Sequence, residues 1–462
     1  MFKSNALEKL RKIVEEDRLL TSKDDLLLFG SDETRIVHLP DCVVFPETTG
    51  EVSSILKLAN LEKIPVVPRG GGSGLSGGAL PVKGGILLVL TKMDRILEVD
   101  KENMTATVEP GVILLDLKKA VEKLGLFYPP DPNSLDISTL GGNIAENAGG
   151  PQTVKYGVTR DFCLGLEVVL PTGEVINTGV KTRKGVAGYD LTRLIIGSEG
   201  TLGVVTKATL RLIPKPQATK TMIALFAHFN QASCAISKIM SSKAAPSVLE
   251  FLDSKAVKLV REYLARGLSF ECNYLLIEAG EDAAFLLIEV DGEKEDVEKR
   301  VEEIIEILNE NKAEFKVAET ETQREKIWIV RRSVKNSILS IYKDDVSEDI
   351  VVPVSKIPEA IRRFREVEAE LSVKILNYGH FGDGNIHTHV LASDPAKVHK
   401  AIEKIFEISL SLGGSITGEH GVGITKACYL PWEIGEEQMK LLRRIKKAFD
   451  PNNILNPGKM GL

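Results

Sequence analysis

The sequence predicts an α+β protein of two main domains and a returning C-terminal segment, and three observations predict it. Its 462 residues exceed what one hydrophobic core organises, so the chain should divide. A β-α-β unit in the first half delivers a loop almost free of side chains. After Pro214-Lys215-Pro216 the pattern turns to strands and amphipathic helices of the kind that build an antiparallel sheet with helices on one face. The boundaries read as residues 1–216, 217–412 and 413–462.

Apolar residues at helical spacing from Leu7 to Val14 and on to Leu20 predict an N-terminal helix. Asp41-Cys42-Val43-Val44-Phe45-Pro46 reads as a strand stopped by proline, Thr49 as the N-cap region of a helix over Glu51–Ala59, and Pro65–Val67 as the next strand. That strand opens into Pro68-Arg69-Gly70-Gly71-Gly72-Ser73-Gly74-Leu75-Ser76. Without Cβ atoms, backbone N–H groups can close on an anion, so the loop is a candidate diphosphate cradle. Gly72, Gly74 and Gly77 satisfy Gly-x-Gly-x-x-Gly, but the dinucleotide-binding version needs a helix directly afterwards, and here another strand, Ile86–Leu90, follows. No Gly-Lys-Ser/Thr closes a P-loop either. Val99 to Pro110 alternates as a strand, and Leu114 to Leu124 is an amphipathic helix.

A second small-residue segment, Ser138-Thr139-Leu140-Gly141-Gly142-Asn143-Ile144-Ala145-Glu146-Asn147-Ala148-Gly149-Gly150, follows a proline-fixed entry at Tyr128–Ser134. It reads as a ligand-facing stretch lying flat, because strands at Leu164–Leu170 and Val175–Thr178, joined by a Pro171–Glu174 turn, continue too directly for a linker. A third glycine-punctuated segment runs from Gly188 to Thr206.

In the second domain, strands are expected at Thr221–Phe226, Asn273–Glu278 and Phe285–Val290, and helices at Gln231–Met240, Ser254–Ala265 and Lys294–Asn311. The charge of the last helix is a solvated face beside an apolar stripe. A net charge of -6 with interspersed Lys and Glu leaves no footprint for nucleic acid. No apolar run reaches the roughly 20 residues that span a bilayer, and no signal-peptide core opens the chain, so a cytoplasmic protein is expected. Five scattered cysteines without Cys-x-x-Cys argue for reduced thiols and against a zinc ribbon or iron–sulfur cluster.

The strongest chemical signal is Asn377-Tyr378-Gly379-His380-Phe381-Gly382-Asp383-Gly384-Asn385-Ile386-His387-Thr388-His389. On one straight strand His380 and His387 would face opposite sides. A two-residue type I′ turn at Asp383-Gly384 would instead set them directly opposite each other, with Cβ atoms about 5 Å apart, suitable for one metal ion. Glu419, in the glycine-bracketed Gly418-Glu419-His420-Gly421, is the candidate third ligand. Two histidines and a carboxylate leave positions open, as catalytic metal sites do.

Taken together, the three glycine segments resemble the FAD-binding domain of the vanillyl-alcohol oxidase/PCMH flavoprotein superfamily over roughly residues 40 to 215. The resemblance implies that Pro68 and Arg69 to Ser76 wrap the pyrophosphate. It implies further cofactor contacts at Pro130, Asp131, Ser138, Thr139, Gly142, Asn143, Ala145, Asn147, Gly149, Gly150, Tyr156, Gly157, Ile196, Glu199, Gly203 and Val204. Some members bind flavin covalently through a histidine in the loop; Ser73 stands there, implying non-covalent FAD.

Gly-His-x-Gly-Asp-Gly-Asn-x-His followed by Gly-Glu-His-Gly is similar to the C-terminal domain of the FAD-linked oxidases that include the glycolate oxidase GlcD subunit, D-lactate dehydrogenase and D-2-hydroxyglutarate dehydrogenase. The resemblance implies a PCMH-type FAD-binding domain of two subdomains, an α+β cap domain, and a C-terminal segment in which Asn456 returns to the flavin. It assigns His380, His387 and Glu419 to a divalent metal, zinc or manganese, His420 to the catalytic base and Arg331, in Trp328-Ile329-Val330-Arg331-Arg332, to the substrate carboxylate. The implied reaction is oxidation of a small D-2-hydroxy acid, D-lactate or glycolate, with hydride passing to flavin. The 2-hydroxyglutarate enzymes carry asparagine where His389 stands, and their threonine and lysine appear as Lys335 and Ser347, which weighs against a dicarboxylate substrate. The alternatives are that dehydrogenase, an alkylglycerone-phosphate synthase-like enzyme, and an electron-transfer subunit that needs an iron–sulfur partner or another acceptor. A homodimer and peripheral membrane attachment through a partner are compatible with the pattern.

Overall fold

The computed structural model describes residues 4–182, 184–267, 280–342 and 346–462. The chain divides into two units: Met1–Gly149 with Val158–Lys215 and Glu419–Leu462, and Gly150–Gly157 with Pro216–Gly418.

In the first unit, a four-stranded sheet runs in the order Leu19–Leu20, Cys42–Val44, Ile86–Val89, Val66–Arg69. Cys42–Val44 and Val66–Arg69 both pair parallel with Ile86–Val89, which lies between them. These strands are buried apolar runs, as parallel strands covered on both faces must be. Helix Thr49–Glu62 crosses over them and buries Val52, Ile55, Leu56 and Ala59 against Val44, Val66 and Leu88. Its cap is Thr48, one residue before the expected position, whose hydroxyl accepts from the Glu51 N–H at 3.2 Å. The N-terminal helix ends at Leu10, and Leu19–Leu20 joins the sheet instead of extending it. The buried Arg18 guanidinium, forked on Glu51 at 2.8 and 2.8 Å, pins that segment to the crossover helix. Tertiary pairing there overrides helical spacing.

The second sheet of this unit is five-stranded and antiparallel: Ile96–Asp100, Thr105–Val108, Val204–Arg211, Cys163–Val169, Val175–Gly179. Val99 to Pro110 is thus not one strand. Asn103 bonds back to Asp100 and Met104 takes φ 52°, which folds the stretch into a hairpin. The small-residue segment does not lie flat either: it forms a helix, Leu140–Glu146, capped by Thr139 and ended by left-handed Asn147. Gly141 packs so close to Pro110 that a Cβ would stand 2.7 Å from it.

The second unit is built on one seven-stranded antiparallel sheet in the order Glu314–Val317, Ala218–Phe226, Ala284–Gly292, Val248–Asp253, Lys374–His380, Asn385–Leu391, Val346–Val351. Central strand Val248–Asp253 escapes sequence patterning because both its faces are buried, so its apolar residues do not alternate with polar ones. The strand expected at Asn273–Glu278 lies outside the described residues. Helices cover both faces, not one. Phe229 of helix Phe229–Ser241 meets the Phe251 ring at 5.5 Å, whereas the adjacent Leu252 packs with Ala256 and Val260 of helix Ser254–Gly267 and with Val330 of helix Glu321–Arg332. Neighbouring strand residues point to opposite faces, so these helices do too.

Candidate functional site

Glu250, Tyr378, His380, His387, His389 and Ser347 share one face of the second unit's sheet, because Glu250 pairs with His380, Tyr378 with His387, and His389 with Ser347. The hairpin differs from the two-residue turn expected. One strand ends at His380 and the next begins at Asn385, so Phe381–Gly384 forms the connection, and the pairing between them ends with His387 opposite Tyr378. The register has moved by two residues. Because strand side chains repeat every two, both histidines keep the same face and meet diagonally, with Nε2 atoms 3.3 Å apart. Each is about 3 % exposed.

Glu419 follows Gly418, whose N–H donates to buried Asp349 at 2.8 Å, and Asp349 pairs with His387 across the strands. His380 and His387 bring two imidazole nitrogens together, part of the donor set of a divalent cation site, and Glu419, the expected third ligand, opens the stretch of the first unit that follows Gly418. His420, next in the chain, has Nε2 3.7 Å from the Glu419 carboxylate.

Sequence reasoning missed Glu250. One of its oxygens is bonded to His380 Nδ1 and the other accepts from Arg331 Nε, with all three residues buried. Burial pushes the Glu250 carboxyl up, but Arg331 and His380 outweigh it and hold the group below the usual carboxylate range. The signal was a single acid inside Val248-Leu249-Glu250-Phe251-Leu252, since an unpaired buried charge would not be tolerated. The Arg331 guanidinium stands 4.8 Å over the Tyr378 ring, and its Nη2 is buried without a partner among the described residues. His389 Nε2 lies 3.1 Å from the Tyr378 hydroxyl and 3.2 Å from Ser347 Oγ.

The glycine segments converge in the first unit. A Cβ on Gly70 would stand 2.2 Å from Thr139 Oγ1, and one on Gly71 2.3 Å from the Ile137 carbonyl, so the loop after Val66–Arg69 is pressed against the cap of helix Leu140–Glu146. Four buried polar atoms there lack a partner among the described residues: Arg69 Nη1, Ser76 Oγ, Ser138 Oγ and Asn143 Nδ2. Each such atom costs roughly 1–3 kcal/mol if left unpaired, so their clustering fits a polar ligand such as a dinucleotide. Burial lowers the Arg69 pKa against the pull of Asp32.

Other expected cofactor residues support the chain itself. Lys118 Nζ donates to the carbonyls of Tyr128, Pro129 and Pro130, shaping the turn that precedes Asp131. The Glu199 N–H donates to the Ala145 carbonyl, and the buried Glu199 carboxylate accepts from Val422 and Gly423 at 2.7 and 2.7 Å. Asn456 Nδ2 donates to the Gly78 and Glu199 carbonyls at 3.0 and 2.7 Å. Asn147 accepts from the Arg160 N–H. Ile196, Gly203 and Val204 are buried. Gly150, Tyr156 and Gly157 fall in the second unit, where the Tyr156 hydroxyl and Lys155 both engage Asp291.

Residues 215–460 match the family model of FAD linked oxidases, C-terminal domain, and residues 40–179 match an FAD binding domain. The chain is 43% identical over 467 residues to glycolate oxidase subunit GlcD of Bacillus subtilis (strain 168), covering 100% of this chain and 97% of that one. It is 38% identical over 463 residues to D-lactate dehydrogenase of Archaeoglobus fulgidus, covering 98% of each. Among solved structures, p-cresol methylhydroxylase with substrate bound superposes with a TM-score of 0.82 at 19% identity, covering 99% of this chain and 96% of that one. An alkyldihydroxyacetonephosphate synthase gives 0.76 at 23%, covering 99% and 86%. At those identities the two structures speak to the fold, which is the PCMH type.

Proposed function

We propose, from the premise that this chain belongs to the FAD-linked oxidase family and is an FAD-linked hydroxy acid oxidoreductase, that it converts a small D-2-hydroxy acid, D-lactate or glycolate, to the 2-oxo acid. The observation that carries the reading is the shared sheet face of the second unit. His380 and His387 stand there beside a buried Arg331 whose Nη2 has no partner among the described residues.

Arg331 would bind the substrate carboxylate by charge-assisted hydrogen bonds. A divalent zinc or manganese ion held by His380, His387 and Glu419 would supply polarisation of the substrate oxygens. His420 would take the hydroxyl proton at an imidazole nitrogen. Non-covalent FAD, held by Arg69–Ser76 with Ser138 and Asn143, would supply the two-electron acceptor. On this reading residues 1–216 form the cofactor domain, 217–412 the substrate domain, and 413–462 the segment that brings His420 and Asn456 to the cofactor. The Bacillus relative is named a subunit, which favours a second reading in which electrons leave through a partner chain.

Anaerobic titration of the FAD-loaded protein with D-lactate, L-lactate, glycolate and D-2-hydroxyglutarate, with and without chelator, tests this. Bleaching of the oxidised flavin band by one D-acid or glycolate, abolished by metal removal, is expected. Full flavin and metal occupancy without bleaching by any acid would sink it.

A further inference from the structure

We infer that Glu250 is a positioning residue that sets both sides of the substrate site at once, fixing the ring of His380 and the usable edge of Arg331. The inference rests on the metal-assisted oxidation proposed above and deepens it.

One carboxylate has two oxygens, and here each is committed. One meets His380 Nδ1 and the other Arg331 Nε, while the Glu250 side chain has no exposed surface. An imidazole that donates Nδ1–H to a carboxylate has its lone pair on Nε2, in a ring that can no longer turn. Nε2 is the His380 atom that faces His387 Nε2 at 3.3 Å. The geometry leaves one tautomer in which His380 serves as a ligand, and Glu250 selects it.

The same carboxylate decides how the guanidinium meets substrate. Arginine offers two forks, one of Nε with an Nη and one of the two Nη atoms. Glu250 occupies Nε, so the terminal fork remains, and the buried Nη2, without a partner among the described residues, belongs to it. Stacking at 4.8 Å over Tyr378 fixes the plane of that fork. Tyr378 itself pairs with His387 across the hairpin. Arginine and both histidines are therefore built on one rigid frame with Glu250 beneath it.

Glu250→Gln in the full, FAD-loaded chain separates these roles from mere packing. A glutamine offers one acceptor where two donors need one. Zinc affinity, read by competition with a chromophoric chelator, is expected to fall roughly 10- to 100-fold. KM for the bleaching acid is expected to rise about tenfold with flavin content unchanged. Wild-type zinc affinity and KM in the variant would overturn the role of Glu250. A wild-type chain that takes up no zinc and is bleached by no acid would overturn the underlying reading instead. Should the variant not fold, 15N-histidine NMR of the wild type decides, with the His380 signal assigned by its loss in His380→Ala. A slowly exchanging Nδ1–H with unprotonated Nε2 is expected, and the opposite tautomer would overturn the proposal.

Discussion

Lys459 has no exposed surface, and its ammonium donates to the Leu80 carbonyl at 2.7 Å and to Asn456 Oδ1 at 3.1 Å. Burial drives its pKa from 10.5 down to about 8, against the pull of Glu199, Asp32 and Glu146. Below pH 8 the lysine is charged whether the chain is folded or not, so the cost of burying that charge is fully present. Between pH 8 and 10.5 the folded state sheds the proton first, and the cost is relieved as pH rises. This contributes a gain on the order of 3 kcal/mol across that window. Unfolding midpoints measured against pH should therefore show a rising component there that Lys459→Met lacks. Parallel profiles for the two proteins would refute the assignment. At the same scale, Arg331→Lys keeps the charge but loses the fork. Its KM for the 2-hydroxy acid should rise about ten- to a hundredfold, as charge-assisted hydrogen bonds worth roughly 1.5–3 kcal/mol require, with kcat less affected.

Two glycine connections set the geometry at the scale of elements. Gly384 closes the Phe381–Gly384 connection with φ 89°, and a Cβ there would stand 2.0 Å from the Val352 carbonyl. Gly384→Ala should cost more than about 1 kcal/mol in chemical denaturation and weaken zinc binding by disturbing the histidine pair. An unchanged midpoint would show that the connection tolerates a shift. Gly71→Ala, with a Cβ 2.3 Å from the Ile137 carbonyl, should instead deplete the flavin absorbance of the purified protein while leaving its far-ultraviolet dichroism near the parent's. The hairpin also shows what was legible. That His380 and His387 share a face was readable from their odd separation across a turn. The turn length was not, because Asp383-Gly384 matches a two-residue turn locally while pairing with Val248–Asp253 and Val346–Val351 fixes a four-residue connection.

At the scale of the whole molecule, the chain leaves the first unit at Gly150, rejoins it at Val158, departs again after Lys215 and returns at Glu419. The last return is anchored at the edge strand, where the Val66 N–H donates to the Ile454 carbonyl and the Asn456 N–H to the Val66 carbonyl, each at 2.7 Å. Ending the chain after Asp450 should release the flavin even where the second unit still folds, which flavin absorbance against near-ultraviolet dichroism would report. Among the described residues no helix is long and apolar enough to cross a membrane. The glycine segments, the buried parallel strands and the paired histidines could be read from the sequence alone, since close backbone approach, burial and ligand chemistry each demand particular residue types locally. Glu250, the fork it leaves on Arg331, the diagonal meeting of His380 with His387 and the helix in the Gly142 segment were decided by tertiary structure. They depend on which strand lies beside which and on where a buried charge finds its partner, and both of these join residues far apart in the chain.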